Sequence, residues 1–491
     1  MFFWDSLPTQ PARAEASLLC YTISQIGSIE SRGSMNTKEE ILKMLKEKYP
    51  QSCEEFDGFS MEWKDVKDVF TLLSNITLLD APSHIIGDAY QAIIGPRIRG
   101  DKGQFFTPKE LVKCMVRIIG ISDGSVMIDP ACGTGGFLTE AYTYAKTHSA
   151  LHEANLKLIG IDKDRDMADM ALATTEIISR GNSCVFNRNS LEIILSTHEL
   201  NWLMGNADFV LTNPPFGAKI GVTDEKLLSR YDFGHNWTYS EKEKAWYKLN
   251  TLMKNQAPQV LFLELCIKLL KPGGKMAIVL PEGIFGNKSL GYIWAYLKEN
   301  GKVLGMIDCP RNTFQPSTDT KTNVLFFEKG SEYSEDTFVA VAKSCGHDKR
   351  GRVTNSQNEP IKNDFQEIAD TYLKPKNKLW KRVKLQGNYF VPRYLAGKIL
   401  TDTSSDYISI GEMVEKGYLV KKSGKEVGSE AYGTGLIPFI RTSDIINFET
   451  SSDPTNAVSE EIYQQYAAQQ NLEIGDILFI ADGRYRIGKT A

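Results

Sequence analysis

Leu211-Thr212-Asn213-Pro214-Pro215-Phe216 closes a short apolar run that begins at Ala207, and its residue types suit the holding of a planar exocyclic amine. The Asn213 side-chain oxygen can accept one N–H and the Pro214 carbonyl the other. Two successive prolines fix φ at both positions and remove two competing donors, so the carbonyl is aimed. Phe216 can stack on the ring that carries the amine. Acceptance of both hydrogens moves the nitrogen toward sp³ character, and it becomes nucleophilic without prior deprotonation. Asn-Pro-Pro is equally good turn chemistry after a buried strand. The segments upstream weigh between the two readings.

Ser125-Val126-Met127-Ile128-Asp129 has a buried-strand pattern and runs into Pro130-Ala131-Cys132-Gly133-Thr134-Gly135-Gly136-Phe137-Leu138 and a helix. Glycines between strand and helix permit a tight turn and close approach of backbone to a ligand. The set departs from G-x-G-x-x-G, because position 138 is Leu and Asp129 closes the strand. A carboxylate there repels a pyrophosphate but meets an ammonium group, which favours S-adenosylmethionine over NAD. Asp129, Pro130, Ala131, Gly133, Thr134, Gly135, Gly136 and Phe137 are the expected cofactor lining. The next strand, Leu158-Ile159-Gly160-Ile161, ends in Asp162, placed to hold a ribose diol. Asn189 follows a third short strand around Cys184-Val185-Phe186, as an adenine-edge contact or as a plain loop residue.

Ahead of these lies Gly103-Gln104-Phe105-Phe106-Thr107-Pro108-Lys109-Glu110. Thr107 is the expected N-cap, Pro108 the first helical residue and Glu110 the partner in a capping box. Backbone donors at such a helix start suit a ligand carboxylate, which adds Gln104, Phe105, Phe106, Thr107 and Pro108 to the candidate site. A plain helix start explains the same residues. Downstream, an apolar helix over 260–270 ends in Lys271-Pro272-Gly273-Gly274, and strands follow over 275–280, 303–307 and 322–327. The result is a doubly wound α/β sheet, whose ligand sits outside the carboxyl ends of its parallel strands. Asp129, Asp162, Asn213 and Pro281 all fall at such ends.

The 491 residues allow two or three domains. A net charge of −4 confines any nucleic-acid surface to a local patch. Eight cysteines are scattered without a C-x-x-C pair, which argues for reduced thiols in a cytoplasm. The six histidines are dispersed, so no metal site is legible. No apolar run reaches the roughly 20 residues that span a bilayer, and the start lacks the basic region of a signal peptide. Residues 1–35 read as an extension of uncertain origin and 36–100 as a small helical domain, with Thr37 and Glu40 as a capping box. Asp57 and Glu62-Trp63-Lys64 have nuclease spacing but fall on a helical period.

Ile86-Gly87-Asp88-Ala89-Tyr90, Gln104 to Pro108, Asp129 to Leu138, Asn213 to Phe216, Leu270 to Gly274 and Pro310-Arg311-Asn312-Thr313-Phe314 occur in this order. Together they resemble the DNA adenine-N6 methyltransferases of type I restriction-modification systems, the modification subunit in particular, in the γ motif order. The resemblance implies a class I fold, a doubly wound, mostly parallel seven-stranded sheet over 101–335. It implies S-adenosylmethionine as methyl donor, duplex DNA with a flipped adenine as substrate, Asn213, Pro214, Pro215 and Phe216 as catalytic loop, and specificity and restriction subunits as partners. The chain departs from the family at Asn187-Arg188-Asn189-Ser190, where Gly-Asp is common.

Residues 336–395 read as a linker, with Lys374-Pro375-Lys376-Asn377-Lys378-Leu379-Trp380-Lys381-Arg382-Val383-Lys384 as a solvated face or a phosphate contact. Residues 396–491 carry short β patterns over 408–418, 437–445 and 472–480. They resemble the opening half of a target-recognition domain of a specificity subunit, an α+β domain cut short at Ala491. Gly483 to Thr490 fits the P-loop expression, but such a loop needs a helix after it. Two further classes stay open. A protein-glutamine N5-methyltransferase would use the same Asn-Pro-Pro loop, and an inactive methylase fold would only bind DNA.

Overall fold

The computed structural model describes residues 106–149, 154–179, 182–216, 221–318, 320–355, 357–372, 379–387, 389–397, 408, 410–446, 449–450, 454–470 and 472–481, with Lys43 and Lys64. The expected extension, the bulk of the helical domain, Gln104, Phe105 and the P-loop-like stretch lie outside the described residues. The chain divides into two compact units, Met1–Leu400 and Thr401–Ala491.

The first unit is built on one sheet. Its strands are β1 (Val126–Asp129), β2 (Lys157–Asp162), β3 (Ser183–Asn187), β4 (Ala207–Thr212), β7 (Leu270–Pro281), β8 (Gly301–Asp308), β9 (Thr322–Lys329), β10 (Asp336–Val341) and β11 (Trp380–Lys384). A separate hairpin pairs β5 (His235–Ser240) with β6 (Ala245–Leu252). The sheet order is β11-β10-β8-β9-β7-β4-β1-β2-β3. β9 runs antiparallel to β7 and β8, β11 antiparallel to β10, and the other pairs are parallel. Seven of these strands form the expected sheet, and two more extend it.

Alternation along the strands places helices on both faces. Phe209 and Leu211 of β4 join one apolar cluster with α1 (Lys109–Ile119) and α2 (Gly136–His148). Val210 joins the opposite cluster with α4 (Pro258–Leu269) and α5 (Gly291–Asn300). α3 (Arg165–Ser179) follows β2. The period of two along a strand buried on both faces dictates this layering.

Residues 336–395 are not a linker. β10 buries Thr337, Val339 and Ala340 beside β8, and α6 (Asp364–Thr371) packs Phe365 and Ile368 into the core. Trp380 is buried and donates its Nε1–H to Ile368 O at 2.8 Å. Arg382 pairs with Asp336 at 2.6 Å. The described part of the basic run is therefore a strand of the sheet whose aromatic ring points into the core. Burial of Trp380 in one apolar cluster and of Val383 in the opposite one outweighs the charges between them. α7 (Pro392–Gly397) closes the unit. Its Arg393 meets Glu282 at 2.7 Å and Asp308 at 3.0 Å.

The hairpin is anchored by a buried carboxylate. Glu264 is 0% exposed, accepts the N–H groups of Asp232 (2.8 Å) and Phe233 (2.7 Å), and pairs with Lys268 at 2.6 Å. Asp232 and Phe233 directly precede β5, so one side chain on α4 fixes where the hairpin starts. Glu264→Leu is expected to destabilise the first unit by about 3 kcal/mol, since it leaves two amides without their acceptor and Lys268 with only its more distant partners Asp232 and Arg230 O. A lower urea midpoint measures this; an unchanged midpoint would show that solvent replaces the carboxylate.

In the second unit, Ile410–Glu415 is a helix where a β element is expected. The apolar residues Ile410, Met413 and Val414 recur at helical spacing. Ile445–Ile446 and Glu449–Thr450 form a two-stranded ladder, Ile437 bridges Val458, and Glu460–Gln470 is helical.

Candidate active site

Chain order reverses between β1 and β4: β2 and β3 lie on one side of β1, β4 and β7 on the other. Open α/β sheets take ligands outside the carboxyl ends at such a reversal. Asp129 ends β1, Asp162 ends β2 and Thr212 ends β4. Pairing of Ile128 with Val210 and of Asp129 with Gly160 brings these ends together.

Asp129 is 0% exposed. One oxygen accepts the Ala131 N–H at 3.1 Å. The other has the Thr212 hydroxyl as neighbour but makes no hydrogen bond of good geometry. Burial pushes this carboxyl up to about 7, against the pull of Thr212 and Ala131, and the charge on Asp162 adds to the rise. A buried carboxylate oxygen without a donor is costly unless a cation or donor arrives. The cationic methionine end of S-adenosylmethionine fits that demand.

The turn after β1 leaves room for such a ligand. Gly133 has φ +51°, and a Cβ there would meet nothing within 4 Å. Gly135 has φ +82°, and a Cβ there would press on Ala171 Cα at 3.3 Å and Thr174 Oγ1 at 3.2 Å. Gly135 thus lets the turn approach α3, while Gly133 faces open space. Asp162 ties the two strand ends together: one oxygen accepts the Gly133 N–H at 2.9 Å, the other the Asp164 N–H at 2.9 Å. Each oxygen keeps a second lone pair, which a diol can meet.

Two expectations change. Helix α1 starts at Lys109 with Pro108 as its N-cap, and no side chain caps it. Pro108 has ψ 134°, outside the helical region, and Glu110 pairs with Lys113 at 3.3 Å instead of closing a capping box. Asn189 spends its side chain on its own turn, accepting from Leu191 N–H at 3.3 Å and donating to Glu192 at 2.7 Å. The residue that does reach the second strand's end is Asn187, which donates to the carbonyls of Asp162 (3.1 Å) and Lys163 (3.0 Å). Its place at the carboxyl end of β3 was the available signal.

In the loop after β4, Asn213 is half-buried, Pro214 buried and Pro215 exposed. Phe216 is 8% exposed and meets Phe314 edge to face, centroids 6.2 Å apart at 84°. Phe314 belongs to the short helical turn Arg311–Phe314 after β8. Asp129, Asp162, Thr212 and the Asn213 to Phe216 loop therefore share one rim of the sheet.

The N-6 DNA Methylase family model matches residues 81–393, more than half of the chain. The chain belongs to that family. Within it, the type I restriction enzyme EcoEI methylase subunit of Escherichia coli is 30% identical over 265 residues, 52% of this chain and 48% of the relative. The EcoKI methylase subunit of Escherichia coli strain K12 is 26% identical over 300 residues, 56% and 51% of the two chains. The chain spans about half the length of these curated relatives. The solved methyltransferase subunit of a type I restriction-modification system from Streptococcus thermophilus has a TM-score of 0.53 at 21% identity, covering 77% of this chain and 78% of that one. It shares the fold. The family match ends before the second unit. Among the described residues no cluster suits a metal ion, and no helix is long and apolar enough to cross a membrane.

Proposed function

We propose that this methylase-family chain transfers a methyl group from S-adenosylmethionine to N6 of an adenine flipped out of duplex DNA, as the modification component of a restriction-modification system. The observation that carries the reading is the position of the Asn213 to Phe216 loop at the end of β4, beside the buried carboxylate that ends β1. The relatives are named as methylase subunits of type I restriction enzymes, which supports other subunits of such an enzyme, for specificity and restriction, as partners. An enzyme that modifies cellular DNA works in the cytoplasm.

Bound S-adenosylmethionine supplies an electrophilic methyl on a sulfonium. Asp129 would meet its ammonium group, Asp162 its ribose, and the open face over Gly133 its backbone-facing side. Asn213 accepts one N6 hydrogen and the Pro214 carbonyl the other, which points the nitrogen lone pair at the methyl carbon. Phe216, braced by Phe314, provides a wall for the ring. The methyl group would pass from the bound sulfonium to N6, leaving the thioether, and the N6 cation would then lose a proton to water. Proximity and alignment account for the acceleration. Extrusion of the base makes N6 accessible.

The test is incorporation of labelled methyl into adenine of mixed genomic DNA, with a glutamine-bearing protein as competing acceptor. Label in N6-methyladenine is the expected outcome. Label confined to protein, or none despite cofactor binding, would overturn it.

A further inference from the structure

We propose that the turn at residues 346–352 is a phosphate-contacting element that seats the DNA backbone beside the base pocket, with Lys349 and Arg350 as the contacting side chains. The inference rests on the methyltransferase reading and names how that site engages its substrate.

β10 runs parallel to β8, so the chain leaves β10 at the same rim as the loop after β4. The following turn is fastened to the segment 311–316 by one hydrogen bond and packs closely against it at a second point. Asn312 donates its Nδ2–H to His347 O at 2.5 Å, and a Cβ on Gly351 would stand 3.3 Å from Pro316 Cδ. The hydrogen bond and the close approach are both to the segment that carries Phe314, the ring against Phe216. The chain of contact from Phe216 to the turn is therefore two side chains long.

The turn is internally locked. Asp348 accepts the N–H groups of Arg350 (2.8 Å) and Arg352 (2.9 Å) through one oxygen and the Arg352 Nε–H (2.8 Å) through the other. The Asp348 N–H donates to Arg352 O at 3.0 Å, and the Gly351 N–H to Asp348 O at 3.0 Å. Gly351 has φ +78°, which this closure requires. Asp348 and Arg352 thus neutralise each other at the base of the turn, and Lys349 and Arg350 are left exposed at its tip. The neighbouring Asp364 is likewise engaged, accepting the Lys343 N–H at 2.8 Å and pairing with Lys362 at 2.9 Å.

Lys343 is also exposed on the same rim, which adds to its cationic character in a chain whose net charge is −4. A polyanion is the partner such a patch selects, and on the methyltransferase reading the diester backbone flanking the extruded base would pass this rim. Cations on a rigid turn lose little conformational freedom on contact, so their charge is available for binding.

The experiment is fluorescence anisotropy of the full chain with a duplex of about 20 base pairs over a series of salt concentrations. Loss of two phosphate contacts in Lys349→Ala/Arg350→Ala should flatten the slope of log K against log salt by about 1.8. The pair Lys157→Ala/Lys302→Ala, at the amino ends of β2 and β8, should leave the slope unchanged. Cofactor affinity should be equal in all three proteins, and methylation of subsaturating duplex should fall only in the first variant. A wild-type slope in that variant would overturn the proposal while leaving the methyltransferase reading intact. A wild-type chain that binds no duplex at low salt would overturn both.

Discussion

Asn213→Ala is expected to lower methyl transfer to adenine by at least 10²- to 10³-fold while cofactor affinity stays within a few-fold of wild type. The substitution would remove one of the two acceptors proposed to hold the N6 hydrogens. Its partner, the Pro214 carbonyl, is backbone and survives the change. The loop should survive too, because Thr212 and Pro214 remain buried on either side and the two prolines still fix φ. Single-turnover transfer with saturating cofactor isolates the effect. Near wild-type transfer would mean that Asn213 only shapes the turn after β4.

Asp129→Asn should separate stability from binding. The folded carboxyl sits at about 7 because burial disfavours its charge, whereas an unfolded one titrates near 3.9. Below pH 4 both states hold the proton. Between pH 4 and 7 the unfolded chain releases a proton that the folded chain keeps, so stability falls as pH rises, and above 7 the loss is complete. A gap of about three units corresponds to up to about 4 kcal/mol. The amide carries no charge to bury, so cofactor-free Asp129→Asn should melt higher than wild type at pH 8 and show little difference at pH 4. It should also bind S-adenosylmethionine about 10- to 100-fold more weakly, having lost a charge-assisted contact. Thermal melts with and without cofactor at both pH values measure the two effects together. Tighter cofactor binding by the variant would remove Asp129 from the site.

Most of the sheet was legible because its signals are short-range. Asp129, Asp162 and Asn213 each follow an apolar run and precede a turn, so their places at strand ends can be read without tertiary knowledge. Phe314 was legible only as part of a motif, because its contact with Phe216 joins segments far apart in sequence. β10 and β11 were missed for a different reason. Their burial alternates with Asp336, Lys381, Arg382 and Lys384, and such charges imitate a solvated linker. The helix at Ile410–Glu415 was masked by β-branched residues whose propensity outweighs a period visible over only one turn. At the site, Asn189 and Thr107 have the right types for a ligand contact and a cap. Local geometry instead spends the first on its own turn and bypasses the second.

The edge position of β11 gives its charges a meaning of another kind. An outermost strand offers a row of open backbone groups on which another chain can polymerise, and lysine or arginine along it discourages such growth. Lys381 and Arg382 stand between the buried Trp380 and Val383, and Lys384 follows them, along that ladder. Among the described residues β11 is the outermost of nine strands, and its basic composition disfavours the addition of a further strand from a neighbouring molecule.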